Sequence, residues 1–291
     1  MSKITVSTAH PFDQALVLTP VTVTAHEHGR ESTRHWQGQT PPAYGNMVGP
    51  FGGITAAQAL QAVLSHPERL GEPVSLTVNF AAALADGAFR VEARPVRTNR
   101  STQHWVVVVS QTDGDGDGVD SVVLTATAVT AARRATWSAA DAIMPAVPAP
   151  ASIARASMAK RVAWVHRYDM RPCAGEIPAE WNGAEADSLT QLWMRDDPPR
   201  PLDFPSLTAM ADVFYPRVWR RRALMTPVGT VSMTVYFHAT AAELTATGEG
   251  YLLGQARAQS FFNGFFDQSA ELWNEAGQLL ATTHQIVYFK A

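Results

Sequence analysis

The chain has 291 residues, 46% apolar and 17% charged, with 23 basic against 26 acidic residues and a net charge of −3. That balance gives no electrostatic basis for binding nucleic acid or an anionic membrane surface. A single cysteine, Cys173, excludes an internal disulfide and a cysteine-clustered metal site.

The first residues lack the apolar stretch of a signal peptide, and no window approaches roughly 18 consecutive apolar residues. The sequence therefore predicts a cytoplasmic protein with no membrane span. His26 and His28 share a face if their segment is a strand, but no third ligand stands at a fixed spacing, so two exposed histidines are expected rather than a metal pair. From Gly53 to Ser65 the chain is apolar around most of a helical circumference, with Thr55, Gln58, Gln61 and Ser65 in one narrow polar stripe. Such a helix must be largely buried. Strand-like runs follow at about 75–80, 87–97, 103–112 and 119–130, with short Gly- or Asp-Gly-bearing connections that imply antiparallel neighbours. The Asp113-Gly114-Asp115-Gly116-Asp117-Gly118 run opens like a calcium loop, but its twelfth position is Leu124 and its flanks are strands, which predicts a solvated hairpin loop.

Between Ser138 and Lys160 the composition turns to Ala and Pro without a period, as expected of an extended connector. It divides the chain into 1–138, a linker at 139–160, and 161–291. Cys173 stands in a turn-like Arg171-Pro172-Cys173-Ala174-Gly175 stretch and is expected to be an ordinary loop cysteine. Leu207, Met210, Ala211 and Phe214 recur at helical spacing with Asp203 as N-cap, predicting a second helix across Asp212. Off that apolar stripe, Asp212 also admits a lesser reading as a solvent-facing residue. Arg217, Arg220, Arg221 and Arg222 form the one basic cluster, which suits a solvated helix end or an anchor for phosphates. From Thr230 to Phe237, Val231, Met233, Val235 and Phe237 alternate with polar residues, the period of a half-buried strand. Further runs lie at 250–263, 264–274 and 278–289.

The halves echo one another. Ser75-Leu76-Thr77-Val78-Asn79-Phe80 matches Ser232-Met233-Thr234-Val235-Tyr236-Phe237 at four of six positions, and the surrounding elements come in the same order. Each half reads as a buried helix against an antiparallel sheet of about five strands, an α+β arrangement. A sheet wrapped around a central helix is a hotdog, and two in tandem make a double hotdog with long central helices inside one continuous antiparallel sheet. No Gly-x-Ser-x-Gly elbow, Walker loop or Gly-x-Gly-x-x-Gly fingerprint occurs.

Five stretches together resemble the acyl-CoA thioesterase II-like family: Gly49-Pro50-Phe51-Gly52-Gly53-Ile54 opening the first helix, the Thr77-Val78-Asn79-Phe80 strand, Ala209-Met210-Ala211-Asp212, the Thr230–His238 strand, and Leu280-Ala281-Thr282-Thr283-His284-Gln285. The resemblance implies an acyl-CoA substrate, no cofactor or metal, a homodimer or higher homo-oligomer, a place in fatty acid metabolism, and Asp212, Thr230 and Gln285 as catalytic residues. The equivalent first-half positions are Thr55, Pro73 and Ala128, so one working site per chain is expected. There Asp212 would activate a water that Thr230 and Gln285 hold. Backbone N–H groups at Gly52 and Gly53 would bind the oxyanion. Arg217, Arg220 and Arg221 are the candidate contacts to CoA phosphates. Two other readings stay open: a non-catalytic acyl-CoA-binding hotdog protein and a hotdog hydratase or dehydratase. The latter would need a His/Asp pair for which no Asp-x-Asn-Pro-x-His-like stretch is found.

Overall fold

The computed structural model describes residues 9–22, 32–112, 120–157 and 161–290. His26, His28 and the Asp-Gly run at 113–118 lie outside the described residues. The first half contains α1 (Pro11–Ala15), β1 (Thr19–Val21), β2 (Arg34–Gln39), α2 (Gly52–Leu64), β3 (Glu72–Phe80), β4 (Ala88–Thr98), β5 (Thr102–Thr112) and β6 (Asp120–Ala131). The second contains β7 (Tyr168–Ala174), β8 (Thr190–Asp196), α3 (Phe204–Met210), α4 (Arg217–Arg222), β9 (Val228–Phe237), α5 (Ala241–Thr247), β10 (Leu252–Arg257), β11 (Phe261–Phe262), β12 (Phe265–Asn274) and β13 (Leu279–Phe289).

All the strands belong to one antiparallel sheet, ordered β1-β2-β4-β5-β6-β3-β9-β13-β12-β10-β8-β7, with β11 paired to β12. The halves join where β3 pairs with β9, so the two matching hexapeptides lie side by side. Thr77 faces Thr234, its own counterpart 157 residues on, and the two hydroxyls hydrogen-bond at 3.0 Å. The pseudo-twofold axis of the repeat passes between them. The equivalence holds at the level of rungs: Leu76 opposes Ala128 as Met233 opposes Gln285, and each joining strand carries a bulge, at Val74 and Val231. This is a double hotdog.

Helix α2 lies in the core with Ile54, Ala56, Ala57, Ala59, Leu60, Ala62 and Val63 fully buried. The first half of its polar stripe, Thr55 and Gln58, is buried too, with Gln58 Nε2 donating to the Ala15 carbonyl of α1 at 2.7 Å, while Gln61 and Ser65 reach toward the surface. Asp203 caps α3 as expected, accepting the Ser206 N–H at 2.8 Å. The second helix is nevertheless much shorter than its apolar spacing predicts. It stops at Met210, and Asp212 and Val213 tighten the chain by donating to the Ala209 and Met210 carbonyls. Gly53 of α2 lies directly against the Ala209 carbonyl, and Pro216 biases Tyr215 away from helix. Phe214 is still buried, but under the sheet, where Gly254 leaves room for its ring.

The Ala/Pro stretch is packed onto the second half. Met144, Val147 and Ile153 cover Trp193, Tyr251 and Leu253, and the Trp193 indole donates to the Pro148 carbonyl at 2.9 Å. Cys173 lies in the edge strand β7 rather than in a turn, half-buried at a bulge, in a strand that tolerates Pro172 because it is an edge.

Candidate active site

The tight turn after α3 aims Asp212 at the N-terminus of α2, between the halves. Gln285 reaches it from the inner face of β13, its Nε2 donating to Asp212 Oδ1 at 2.8 Å and lying 3.3 Å from Met233 Sδ. The Gly53 N–H supplies a second hydrogen bond to the carboxylate. A side chain at Gly52 would place its Cβ 2.9 Å from Asp212 Oδ2, so the carboxylate needs the glycine there. Burial pushes the Asp212 carboxyl up to about 7, against the lowering effect of the Gln285 and Gly53 hydrogen bonds. Asp212 is therefore not the solvent-facing helix residue that its sequence position also allowed.

Thr230 reaches the inner face through the bulge. Gln285 opposes Met233 and Val287 opposes Thr230, so skipping Val231 reverses the alternation. Val231, expected inside, is 41% exposed. Thr230 stands one inward position along from Met233, half-buried, and its hydroxyl has no hydrogen-bond partner among the described residues. The structure thus brings Asp212 and Gln285 into contact and sets Thr230 on the same face beside them. In the first half, Thr55 turns its hydroxyl back to the Phe51 carbonyl, while Pro73 and Ala128 oppose Thr130 and Leu76.

The arginine cluster does not form one patch. Arg217 is fully buried: Nη1 donates to the Ser188 carbonyl and Thr190 Oγ1 at 3.0 and 2.7 Å, Nε donates to the Tyr215 carbonyl at 3.0 Å, and the guanidinium lies 4.5 Å from the Tyr215 ring centre. Burial pulls its pKa down to about 10. It is a clamp between α4 and β8, with those donors committed to the protein, and so makes an internal contact rather than the phosphate contact expected of it. Arg220 and Arg221 stay nearer the surface, paired to Asp187 at 3.8 Å and Glu185 at 2.7 Å. Among the described residues, no three His, Cys, Asp or Glu side chains gather as a metal site.

Two further buried polar side chains, Asp196 and Gln268, lie outside the predicted set. Asp196, whose Oδ2 accepts the Ser206 hydroxyl at 2.6 Å, is pushed up to about 7 by burial and ties β8 to α3. Gln268 of β12 is 2% exposed and is the direct cross-strand partner of Gln285. The available signal was a glutamine in an otherwise apolar inward series with Phe266, Ala270 and Leu272.

Residues 140–289 match the acyl-CoA thioesterase C-terminal domain family and residues 40–131 match the acyl-CoA thioesterase N-terminal domain family. The chain belongs to the acyl-CoA thioesterase family. Over 97% of its length it is 46% identical to a conserved hotdog-fold protein of unknown function from Alicyclobacillus acidocaldarius, 99% of which is covered, with a TM-score of 0.86. A putative thioesterase II from Thermobifida fusca is 17% identical with a TM-score of 0.76, covering 98% of this chain and 99% of that one. An acyl-CoA thioesterase II from Mycobacterium marinum is 18% identical with a TM-score of 0.69, covering 96% and 98%. At those identities the latter two likenesses speak for the fold alone. No functionally curated protein matches the sequence. Among the described residues of this thioesterase-family chain, no helix is long and apolar enough to cross a membrane.

Proposed function

We propose that the protein hydrolyses acyl-CoA thioesters to free acid and CoA, with Asp212 as general base and Gln285 and Thr230 orienting the attacking water. The observation that carries this reading is the Asp212–Gln285 pair, a buried carboxyl near pKa 7 that accepts from Gln285 Nε2 at 2.8 Å and from the Gly53 N–H at the start of α2. A base poised near the working pH combines a large deprotonated fraction with useful proton affinity. Asp212 accepts a proton as the water oxygen bonds to the thioester carbon and the carbonyl π pair moves onto oxygen. The tetrahedral species collapses, the C–S bond breaks, and the CoA sulfur leaves with the proton from Asp212. Free N–H groups at the start of α2, Gly52 among them, supply a positive end for the oxyanion.

In this reading the working units are 1–138 and 161–291, with 139–160 as a strap. The enzyme is a cytoplasmic homodimer or higher homo-oligomer serving fatty acid metabolism, and Arg220 and Arg221 exchange their carboxylate partners for CoA phosphates. No cofactor takes part. The test is release of free thiol from acyl-CoAs of graded chain length, with acyl-carrier protein in parallel. Binding without thiol release at every length would replace the hydrolase by an acyl-CoA-binding protein.

Cys173 has no part in this chemistry. Burial pushes its thiol up, away from the reactive thiolate. Cys173→Ser is expected to keep kcat within about twofold. A folded Cys173→Ser protein without activity would point to a thiol mechanism.

A further inference from the structure

Gln268 and Gln285 are direct neighbours across β12 and β13, so their side chains share the inner face, with Cβ atoms roughly 5 Å apart. Gln285 is engaged by Asp212 through Nε2. Gln268 is different: it is 2% exposed, yet neither its amide oxygen nor its nitrogen has a hydrogen-bond partner among the described residues. Its amide atoms are also absent from the fully enclosed, unpartnered polar atoms such as Tyr168 Oη and Asp196 Oδ1. The amide is therefore the part of Gln268 that borders open space. With no protein partner and open space in front of it, this amide is free to bond a group that arrives with the substrate.

The first half shows what the fold does here without a site. By the repeat, Ala128 takes the place of Gln285, and its cross-strand partner Trp105 takes the place of Gln268. Trp105 is fully buried over the small Ala128, its indole N–H donating to Thr130 Oγ1 at 3.1 Å. Packing is closed and every polar group of that pair is satisfied. The second half replaces the Trp/Ala pair by two amides, one on the base and one unspent. Meanwhile the Gly53 N–H, a natural donor for an oxyanion, is already directed at the Asp212 carboxylate.

We propose that Gln268 is a further catalytic residue, whose side-chain Nε2 donates a hydrogen bond to the thioester carbonyl oxygen as it becomes an oxyanion. This rests on the hydrolase reading above. Gln268 transfers no proton: it stabilises the charge that appears when the water–carbon bond forms and releases it when the carbonyl re-forms and the C–S bond breaks. A donor aimed at developing charge acts chiefly on the transition state.

The test compares wild type, Gln268→Met and Gln268→Asn for CoA release and thermal unfolding. Met fills the same volume without a donor, and kcat should fall roughly 10²-fold with KM within about threefold. Its Tm should equal or exceed that of the wild type, because an unpaired amide has left the core. A merely structural glutamine would lower Tm on replacement. Gln268→Asn keeps the amide but shortens its reach, and should lose about tenfold in kcat; it carries the test alone if Gln268→Met does not fold. A kcat within threefold of wild type in the folded variants, or a rate loss matched by a loss of folded protein, overturns the assignment while leaving the hydrolase intact. A wild type that releases no CoA from any acyl-CoA overturns the hydrolase reading and this assignment together.

Discussion

Asp212→Asn is expected to lower kcat by roughly 10²-fold or more, the scale of lost general-base catalysis, while acyl-CoA affinity stays within about threefold. The shape of the site is preserved, since Asn can still accept from the Gly53 N–H and bond Gln285 once that amide turns over. The same substitution should stabilise the fold at alkaline pH. The folded carboxyl titrates at about 7 against 3.8 for the ordinary group, so between those values the folded chain binds more protons than the unfolded one. Its contribution to stability is fully present below pH 3.8 and is lost as pH rises through about 7. Three pKa units correspond to at most about 4 kcal/mol. Thermal unfolding at pH 8.5 should show the Asn variant above the wild type, and at pH 4 the two should coincide within about 1 kcal/mol. A wild type more stable at pH 8.5 would mean that the carboxylate is better solvated than its burial implies.

Gly53→Ala should be the most damaging small substitution at the site. Its Cβ would meet the Ala209 backbone carbonyl at 2.6 Å and the Phe51 ring at 2.5 Å. The carbonyl belongs to the end of α3 and cannot swing aside, so α2 and α3 must separate. Overpacking of this kind costs about 1–3 kcal/mol, and the shift carries Asp212 away from its partners, with a rate loss of at least tenfold expected. Gly52→Ala differs in kind. Its Cβ crowds the end of the Asp212 side chain, at 2.9 Å, and meets the Phe80 ring only at an ordinary 3.5 Å, so activity should fall with little change in Tm. Gly229, with nothing within 4 Å of an added Cβ, is the control and should tolerate Ala within about 0.5 kcal/mol. Chemical denaturation and initial rates on the three variants separate these outcomes.

The periodicities that record burial carried most of the fold. The period of two placed the long strands, the apolar circumference of α2 showed that it is central, and the hexapeptide repeat marked the seam between β3 and β9. Burial is not the same as helix, however. Leu207, Met210, Ala211 and Phe214 are all buried at helical spacing, but the chain leaves the helix at Met210 and Phe214 reaches the core from beneath β10. The inward turn of Thr230 depends on the Val231 bulge, whose counterpart at Val74 becomes visible only once the strands are paired. Arg217 looked like its surface neighbours because charge spacing does not record which guanidinium finds carbonyls inside. The edge strands β1 and β7 lack alternation, and β7 contains Pro172, so they left little trace. The contact between Asp212 and Gln285 was legible through the family resemblance, whereas the burial of Asp212 against α2 required the packing of one half on the other.

The most direct test of Asp212 as the base that activates water is the pH dependence of kcat for CoA release, measured from pH 5 to 9 with a good acyl-CoA substrate. With the carboxyl at about 7, the rate should rise with unit slope through the acid range, bend near pH 7 and level off above it. A rate that is constant from pH 5 to 9, or that falls as the pH rises through 7, would contradict the account.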